Sequence, residues 1–207
     1  MRTSHSWLIP GLARTLALSM GLMLIPQNMV ASTFVEALVQ AAMERTRHAV
    51  RYDGAYVRLT YPGGDVPSDT GVCTDVIIRS YRALGIDLQK RVHEDMVTHF
   101  DQYPSRRIWG LERPDRNIDH RRVPNLQAFF TRHGMRLPPG DHVEDYRPGD
   151  LVTWMVSGNR PHIGIVVDQT GVSGRPLVVH NIGAGPELED MLFDYPLTGH
   201  FRYQPIR

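Results

Sequence analysis

The last third of the chain most constrains its fold, because it holds a series of short runs rich in β-branched residues. These runs cover residues 151–156, 162–168, 177–182 and 199–204, and Gly, Pro or Asn residues separate them. Runs of this length with turn residues between them predict antiparallel strands. We therefore expect an antiparallel sheet, which begins after the Arg147-Pro148-Gly149-Asp150 turn.

Two helices are predicted before this sheet. Residues 33–50 place apolar side chains at helical spacing, which indicates an amphipathic helix. A loop with two prolines and three glycines follows at residues 61–71. The spacing of apolar residues then predicts a second helix over roughly residues 72–84, and Gly85 ends it.

The segment between the helices and the sheet, residues 86–136, is polar, and we expect it to be irregular except for a short helix at residues 125–130. The order of elements indicates an α+β domain over residues 33–207, with N-terminal helices packed on a C-terminal sheet. Composition agrees with a globular chain, since 42% of the 207 residues are hydrophobic and the formal net charge is +1. Such balanced charge argues against a nucleic-acid partner.

The first 32 residues differ from the rest, because they contain no acidic residue. Arg2 and Arg14 precede an apolar stretch at residues 16–26, and small residues follow at positions 30–32. This order is typical of a secretory signal peptide, and the apolar stretch is too short to span a membrane. We expect residues 1–32 to be removed and the protein to be periplasmic or secreted, without a stable membrane anchor. The remaining chain has 21 basic and 22 acidic residues, so its charge indicates no partner.

Cys73 is the only cysteine and the first candidate for chemistry. It follows the glycine-rich loop and lies in the first turn of the second predicted helix. The unpaired N–H groups and positive dipole of a helix start favour a thiolate, the reactive form of a thiol whose ordinary pKa is about 8.5. The alternative is a small buried hydrophobic residue. A single cysteine excludes an internal disulfide and a multi-cysteine zinc site.

Two histidines in the predicted strands could complete a catalytic site. His162 begins one strand and His180 ends the next. A cysteine nucleophile needs an imidazole base, and the base needs a third polar group to orient it. Neighbouring strands lie about 4.8 Å apart, so the two rings can touch if they share a face, and Gly164 would leave room there. Each histidine alone could equally be a half-buried polar residue.

These residues resemble the NlpC-type cell-wall cysteine peptidases, which are circularly permuted papain-like enzymes. The resemblance rests on GVCTD at 71–75, RPGDLV at 147–152, HIGIV at 162–166 and His180. It implies a permuted papain-like fold, with Cys73 as nucleophile, His162 as base and His180 as the orienting residue. The longer runs GVCTDVIIRSYRALGIDLQ, NIDHRRVPNL, HIGIVVD and VVHNIGAG are more closely similar to a YijF-like bacterial family of unknown function.

Substrate-binding residues are predicted in three places. Arginine forks suit carboxylates such as those of peptidoglycan peptides, so the polar cluster Asp119-His120-Arg121 is a candidate, with a solvated loop as the alternative. Tyr56 and Tyr61 are candidates to line a cleft, although tyrosines also pack half-buried. Asn181 is a further binding candidate and a rival to His180 for the orienting role. Only one of the two can point at His162, because adjacent strand residues face opposite ways.

We expect no cofactor and no metal. His93 and His99 are six residues apart and do not share a helix face, as a zinc protease motif requires, and no phosphate-binding or dinucleotide-binding fingerprint is present. The sequence predicts a monomeric thiol amidase or peptidase that acts on peptidoglycan peptides or related amides. Family members usually read Asp-Cys-Ser-Gly at the nucleophile, whereas this chain has Val72 before Cys73 and Thr74-Asp75 after it. The alternatives are therefore an inactive papain-like module that binds wall peptides or a partner, and an acyltransferase that uses the same three residues.

Overall fold

The computed structural model describes Met1 and residues 33–205, so the predicted signal peptide beyond Met1 lies outside the described residues. The helices of the described part are α1 Phe34–Arg45, α2 Cys73–Ala83, α3 Leu88–His99, α4 Ser105–Trp109 and α5 Val123–His133. The strands there are β1 Arg51–Tyr52, β2 Thr70–Gly71, β3 Met135–Leu137, β4 Leu151–Val156, β5 Arg160–Thr170, β6 Pro176–His180, β7 Glu187–Glu189 and β8 Leu197–Arg202.

Local sequence signals explain both predicted helices. Thr33 caps α1 reciprocally with Glu36, since each side chain accepts a hydrogen bond from the other residue's backbone N–H. At the start of α2, the carboxylate of Asp75 accepts a hydrogen bond of 2.7 Å from the backbone N–H of Val72. Gly85, with φ of 78°, follows the end of α2 in the left-handed region that favours glycine. Both helix predictions are confirmed.

The prediction that residues 86–136 are irregular is wrong, because this segment contains α3, α4 and α5. Leu88, Val92 and Met96 are spaced four residues apart on α3, and all three are fully buried in the core. This apolar stripe is helical, but the charged residues between its members make the segment look like a polar loop. The short helix predicted at 125–130 is a longer one, α5, which buries Phe129 and Phe130.

Six strands form the main sheet, in the order β3-β8-β4-β5-β6-β7 with antiparallel neighbours throughout. The four predicted strands are its four longest members, and β3 and β7 extend it at the edges. Ile163 and Ile165 on β5 pack with the helices, whereas Val166 packs with Trp154 in a second cluster of buried side chains. The predicted α+β arrangement is confirmed. In the described residues, no helix is both long enough and apolar enough to cross a membrane.

Candidate active site

Cys73 is the first residue of α2, and its sulfur lies beside strand β5. The backbone N–H of Ile163 lies close enough to this sulfur to lower the pKa of the thiol, and Ile163 directly follows His162. The fold thus brings the helix start next to the strand that carries the base candidate. Within the described residues no hydrogen bond joins the thiol to the His162 ring, and Cys73 is only 5% exposed.

The two predicted histidines are in direct contact. Nε2 of His162 lies 2.9 Å from Nδ1 of His180, and the two rings meet edge to face. Gly164 makes this approach possible, since a Cβ at that position would come within 2.6 Å of Val178 and 3.2 Å of the His180 Cβ. His162 and His180 therefore form one hydrogen-bonded pair on the sheet.

A fourth residue, Glu189, extends the contact to the surface. Its Oε2 lies 2.7 Å from Nε2 of the fully buried His180, while the Glu189 side chain is 44% exposed. An ionised carboxylate only accepts hydrogen bonds, so Nε2 of His180 carries the proton and Nδ1 accepts from His162. His162 then donates through Nε2–H, which leaves the lone pair on its Nδ1. Sequence reasoning missed Glu189, because its role depends on the pairing of β7 with β6.

Burial favours the neutral forms of Cys73 and His162. It raises the pKa of the Cys73 thiol to about 12, and the charge of Asp75 adds to this rise, while N–H groups of Ile163, Thr74 and Cys73 itself oppose it. Burial also lowers the pKa of His162 to about 3, with a smaller contribution from the charge of His180. The expectation that the helix start holds a resting thiolate is therefore wrong: loss of hydration outweighs the nearby N–H groups.

Arg121 is held inside the protein rather than presented to a substrate. Its Nε and Nη2 donate to the two carboxylate oxygens of Asp75 at 2.9 and 2.8 Å, and both side chains are buried. Its guanidinium also donates to the backbone oxygens of Asp53 and Ala55 at 3.3 Å. Arg121 is predicted above to bind a carboxylate of a peptide, but its carboxylate partner is Asp75 of the chain itself. This ion pair connects the segment of residues 86–136 to the start of α2.

Asp119 and His120 are buried beside Arg121 and have structural contacts. Asp119 accepts hydrogen bonds from Arg122 and Asn125, and burial raises the pKa of Asp119 to about 6. Burial lowers the pKa of His120 to about 3. The structure does not place this cluster on a surface that a substrate could reach, because burial removes all three side chains from solvent.

Tyr56 and Tyr61 contact the segment of residues 86–136. The Tyr56 hydroxyl donates to Asp115 at 3.0 Å and accepts from Asn117 at 2.8 Å, so this exposed ring is fixed at its polar end. Tyr61 packs edge to face against His93. The tyrosine next to the thiol is instead Tyr52, which pairs with Gly71 two residues before Cys73. Burial raises the pKa of Tyr52, and the charge of a Cys73 thiolate would add to this rise.

In the described residues His180, and not Asn181, is within hydrogen-bond distance of the His162 ring, so the geometry favours His180 for the orienting role. The Asn181 side chain accepts a hydrogen bond from the backbone N–H of Gly183 at 3.1 Å and is otherwise directed into a cavity beside α2. Within residues 33–205, no group of three or more His, Cys, Asp or Glu side chains is arranged to hold a metal ion.

The structure is an α+β domain that has a buried cysteine at a helix start and, on its sheet, a hydrogen-bonded chain of two histidines and a carboxylate. The chain belongs to the family described as Domain of unknown function (DUF1287), whose model matches residues 39–203. It is 50% identical over 167 residues to "Uncharacterized protein YijF" of Escherichia coli (strain K12), a match that covers 81% of this chain and 80% of that protein. The resemblance to a YijF-like family is confirmed.

Solved structures of NlpC proteins are also similar to this chain. The structures of NlpC1 and NlpC2 from Trichomonas vaginalis match with TM-scores of 0.47 and 0.42, at 16% and 18% sequence identity. The matches cover 84% and 81% of this chain but 46% of each of those chains. This chain thus spans about half the length of the solved structures that it matches.

Proposed function

We propose that this protein is an exported cysteine amidase or peptidase that hydrolyses peptidoglycan peptides or related amides. The observation that carries the proposal is the hydrogen-bonded chain from Glu189 through His180 to His162. The backbone of Ile163, the next residue along the strand, lies close to the Cys73 sulfur at the start of α2. The substrate class rests on the export-type pattern of residues 1–32 and on the resemblance to cell-wall cysteine peptidases.

The reaction begins from a neutral pair of thiol and imidazole. As the Cys73 sulfur bonds to the amide carbon, its proton passes to Nδ1 of His162, and the carbonyl electron pair moves to oxygen. The backbone N–H groups of Cys73 and Thr74, at the helix start, stabilise this oxyanion. The N–H of Val72 takes no part, because it donates to Asp75.

The second half of the reaction returns the proton. The C–N bond breaks, and the His162 imidazolium gives its proton to the leaving amine, which leaves a thioester on Cys73. Water then attacks the thioester with His162 as base, and the thiol is restored. During both steps the positive charge on His162 is stabilised through His180 by the carboxylate of Glu189.

A second candidate function is supported by the burial of the thiol. A cysteine that is 5% exposed, with a pKa of about 12, has little thiolate at neutral pH. This state favours a catalytically silent module that binds wall peptides. Slow alkylation of Cys73 at pH 7.5, together with peptide binding but no hydrolysis, is the result expected of such a module.

The test is incubation of the protein with purified peptidoglycan fragments and identification of the products by mass. Wild type is expected to release amide-cleavage products, and Cys73→Ala is expected to release none while its thermal unfolding midpoint stays close to that of wild type. Arg47→Gln, an exposed substitution on the chain segment after α1, serves as the matched control that keeps activity. Equal hydrolysis by wild type and Cys73→Ala would overturn the proposal, and no hydrolysis by either would favour the silent module.

A further inference from the structure

A cavity of about 350 Å³ lies next to the candidate active site, between the end of α1, one face of α2 and the loop between β6 and β7. Val72, which precedes Cys73, and Asn181, which follows His180, both line it. The cavity is thus built from residues directly adjacent in sequence to two members of the predicted catalytic trio. Its volume lies within the range of pockets that hold small ligands.

Most charges that line the cavity are paired. Arg79 and Arg82 both bind the carboxylate of Asp65, at 3.0 and 2.7 Å. Asp75 is bound on both oxygens by Arg121. Arg45, in the last turn of α1, is different, because no carboxylate of residues 33–205 forms an ion pair with its guanidinium. The lining therefore carries an uncompensated positive charge.

Four buried hydrogen-bond donors of the lining also have no hydrogen-bond acceptor in the described part of the chain. They are Nδ2 of Asn181, a residue that is 1% exposed, Nε of Arg45, and Nε and Nη1 of Arg82, although Arg82 also forms its ion pair with Asp65. Buried donors without acceptors are rare, and each calls for a physical reason. Because all four groups are donors and the arginines are charged, the group that suits them is an anionic acceptor.

We propose that this cavity binds a carboxylate of the substrate, held by the guanidinium of Arg45 and the side-chain amide of Asn181. The planar fork of arginine matches a carboxylate with two parallel hydrogen bonds. The proposal rests on the proposed function and specifies its substrate class: an amide that carries a free carboxylate near the bond to be cut. Arg45 and Asn181 select and hold this group, while the chemical steps belong to the site around Cys73.

The test is binding of two matched probes to a Cys73→Ala background, in which no turnover occurs. The probes are a tripeptide from a peptidoglycan stem and the same peptide with its carboxylates converted to amides, and calorimetry measures the dissociation constants. Arg45→Gln is expected to weaken binding of the acid probe by about tenfold or more, since it removes a charged hydrogen-bonding partner. It should leave the amide probe unchanged, and Arg47→Gln, which removes an exposed charge two residues away, should change neither.

Asn181→Asp is the second variant. It keeps an oxygen to accept from the Gly183 N–H and replaces the unpaired amide with a negative charge, so the acid probe should bind more weakly still, whereas the amide probe should not. Arg45→Lys keeps the charge and should bind the acid probe better than Arg45→Gln does.

The outcomes separate this proposal from the proposed function. Acid and amide probes that bind equally, or an acid probe whose affinity is the same in Arg45→Gln, would overturn the carboxylate site even if hydrolysis depends on Cys73. The absence of measurable binding by the acid probe would overturn it as well. Hydrolysis that survives Cys73→Ala would overturn the proposed function, whatever the probes show.

Discussion

Two pairs of a histidine and a carboxylate are built into the same sheet, and they have different surroundings. His180 lies 2.7 Å from Glu189, and His200 lies 2.6 Å from Asp150, with both histidine side chains fully buried. Asp150 is 1% exposed and is also bound by Arg202 at 2.6 Å, whereas Glu189 is 44% exposed. The first pair reaches solvent at its carboxylate, and the second is enclosed.

In both pairs Nε2 of the histidine faces the carboxylate, so the partner of Nδ1 determines what the pair can do. Nδ1 of His180 contacts His162, so the charge of Glu189 is connected through His180 to the candidate base. Nδ1 of His200 has no partner among the described residues, and its ring stacks on Tyr146 at 4.3 Å. Asp150 also accepts a hydrogen bond of 2.9 Å from the backbone N–H of Arg147, so the same chemical pair stabilises a turn in one place and contacts a candidate base in the other.

The largest expected effect is on catalysis at His162, which contacts the His180–Glu189 pair (the open pair, because its carboxylate reaches solvent). His162→Gln removes the base, and we expect hydrolysis of peptidoglycan fragments to fall by about 10⁴-fold. The rate is measured by mass analysis of products from correctly folded protein. His99→Gln, at an exposed histidine on α3, is the control that should keep the wild-type rate. A folded His162→Gln that retains wild-type hydrolysis would show that the two pairs do not differ in function.

The next effect concerns stability at the enclosed pair. Asp150→Asn leaves the charge of Arg202 without its buried partner, and we expect the free energy of unfolding to fall by about 3–5 kcal/mol. Urea denaturation measures this loss. Asp194→Asn removes a surface ion pair with Arg175 and should cost less than about 1 kcal/mol. If Asp150→Asn instead left stability intact and lowered only the rate, our assignment of roles would be reversed.

Those two experiments address parts of the molecule that differ in how well the sequence predicts them. Helix α2 and the strands that carry His162 and His180 follow from local signals, namely apolar spacing, turn residues and Gly85. The contact between His162 and His180 follows from one additional rule, that neighbouring strands place side chains of a shared face close together. The predicted trio therefore depends on short-range patterns and a single long-range pairing.

Features that depend on several long-range contacts were not predictable in the same way. The Asp75–Arg121 ion pair joins residues 46 apart in sequence, and nothing local distinguishes it from a surface arginine. Glu189 lies in a polar segment whose strand β7 exists only through pairing with β6. The pKa of Cys73 is raised because the fold removes water from the thiol. A helix-start position alone predicts a lowered pKa.

A smaller effect is expected from Glu189 itself. Glu189→Gln keeps an oxygen that can accept from His180 but removes the negative charge that stabilises the His162 imidazolium. Loss of a hydrogen-bond partner that orients a histidine costs about 10–100-fold at metal sites, and we expect a loss of rate near the lower value here, about tenfold, because Glu189 is partly exposed. Glu187→Gln is the matched control, since Glu187 is paired opposite His180 in the ladder but makes no hydrogen bond to it in the described structure. Equal losses in the two variants would indicate a general effect of charge rather than orientation.

The smallest expected effect is the contribution of His162 to the pH dependence of the free energy of unfolding. The folded-state pKa of His162 is lowered to about 3, so between pH 6.5 and 3 the unfolded chain binds a proton that the folded chain does not. The free energy of unfolding then rises with pH, and His162 contributes a loss of about 1.4 kcal/mol when the pH falls from neutral to 5.5. Urea denaturation at pH 7.5 and 5.5 should therefore show a smaller acid loss for His162→Gln than for wild type. His120→Gln should reduce the loss by a similar amount, because burial also lowers the pKa of His120 to about 3. An acid loss identical in wild type and both variants would mean that these imidazoles accept protons in the folded protein, and His162 would then be a cation rather than a base at mildly acidic pH.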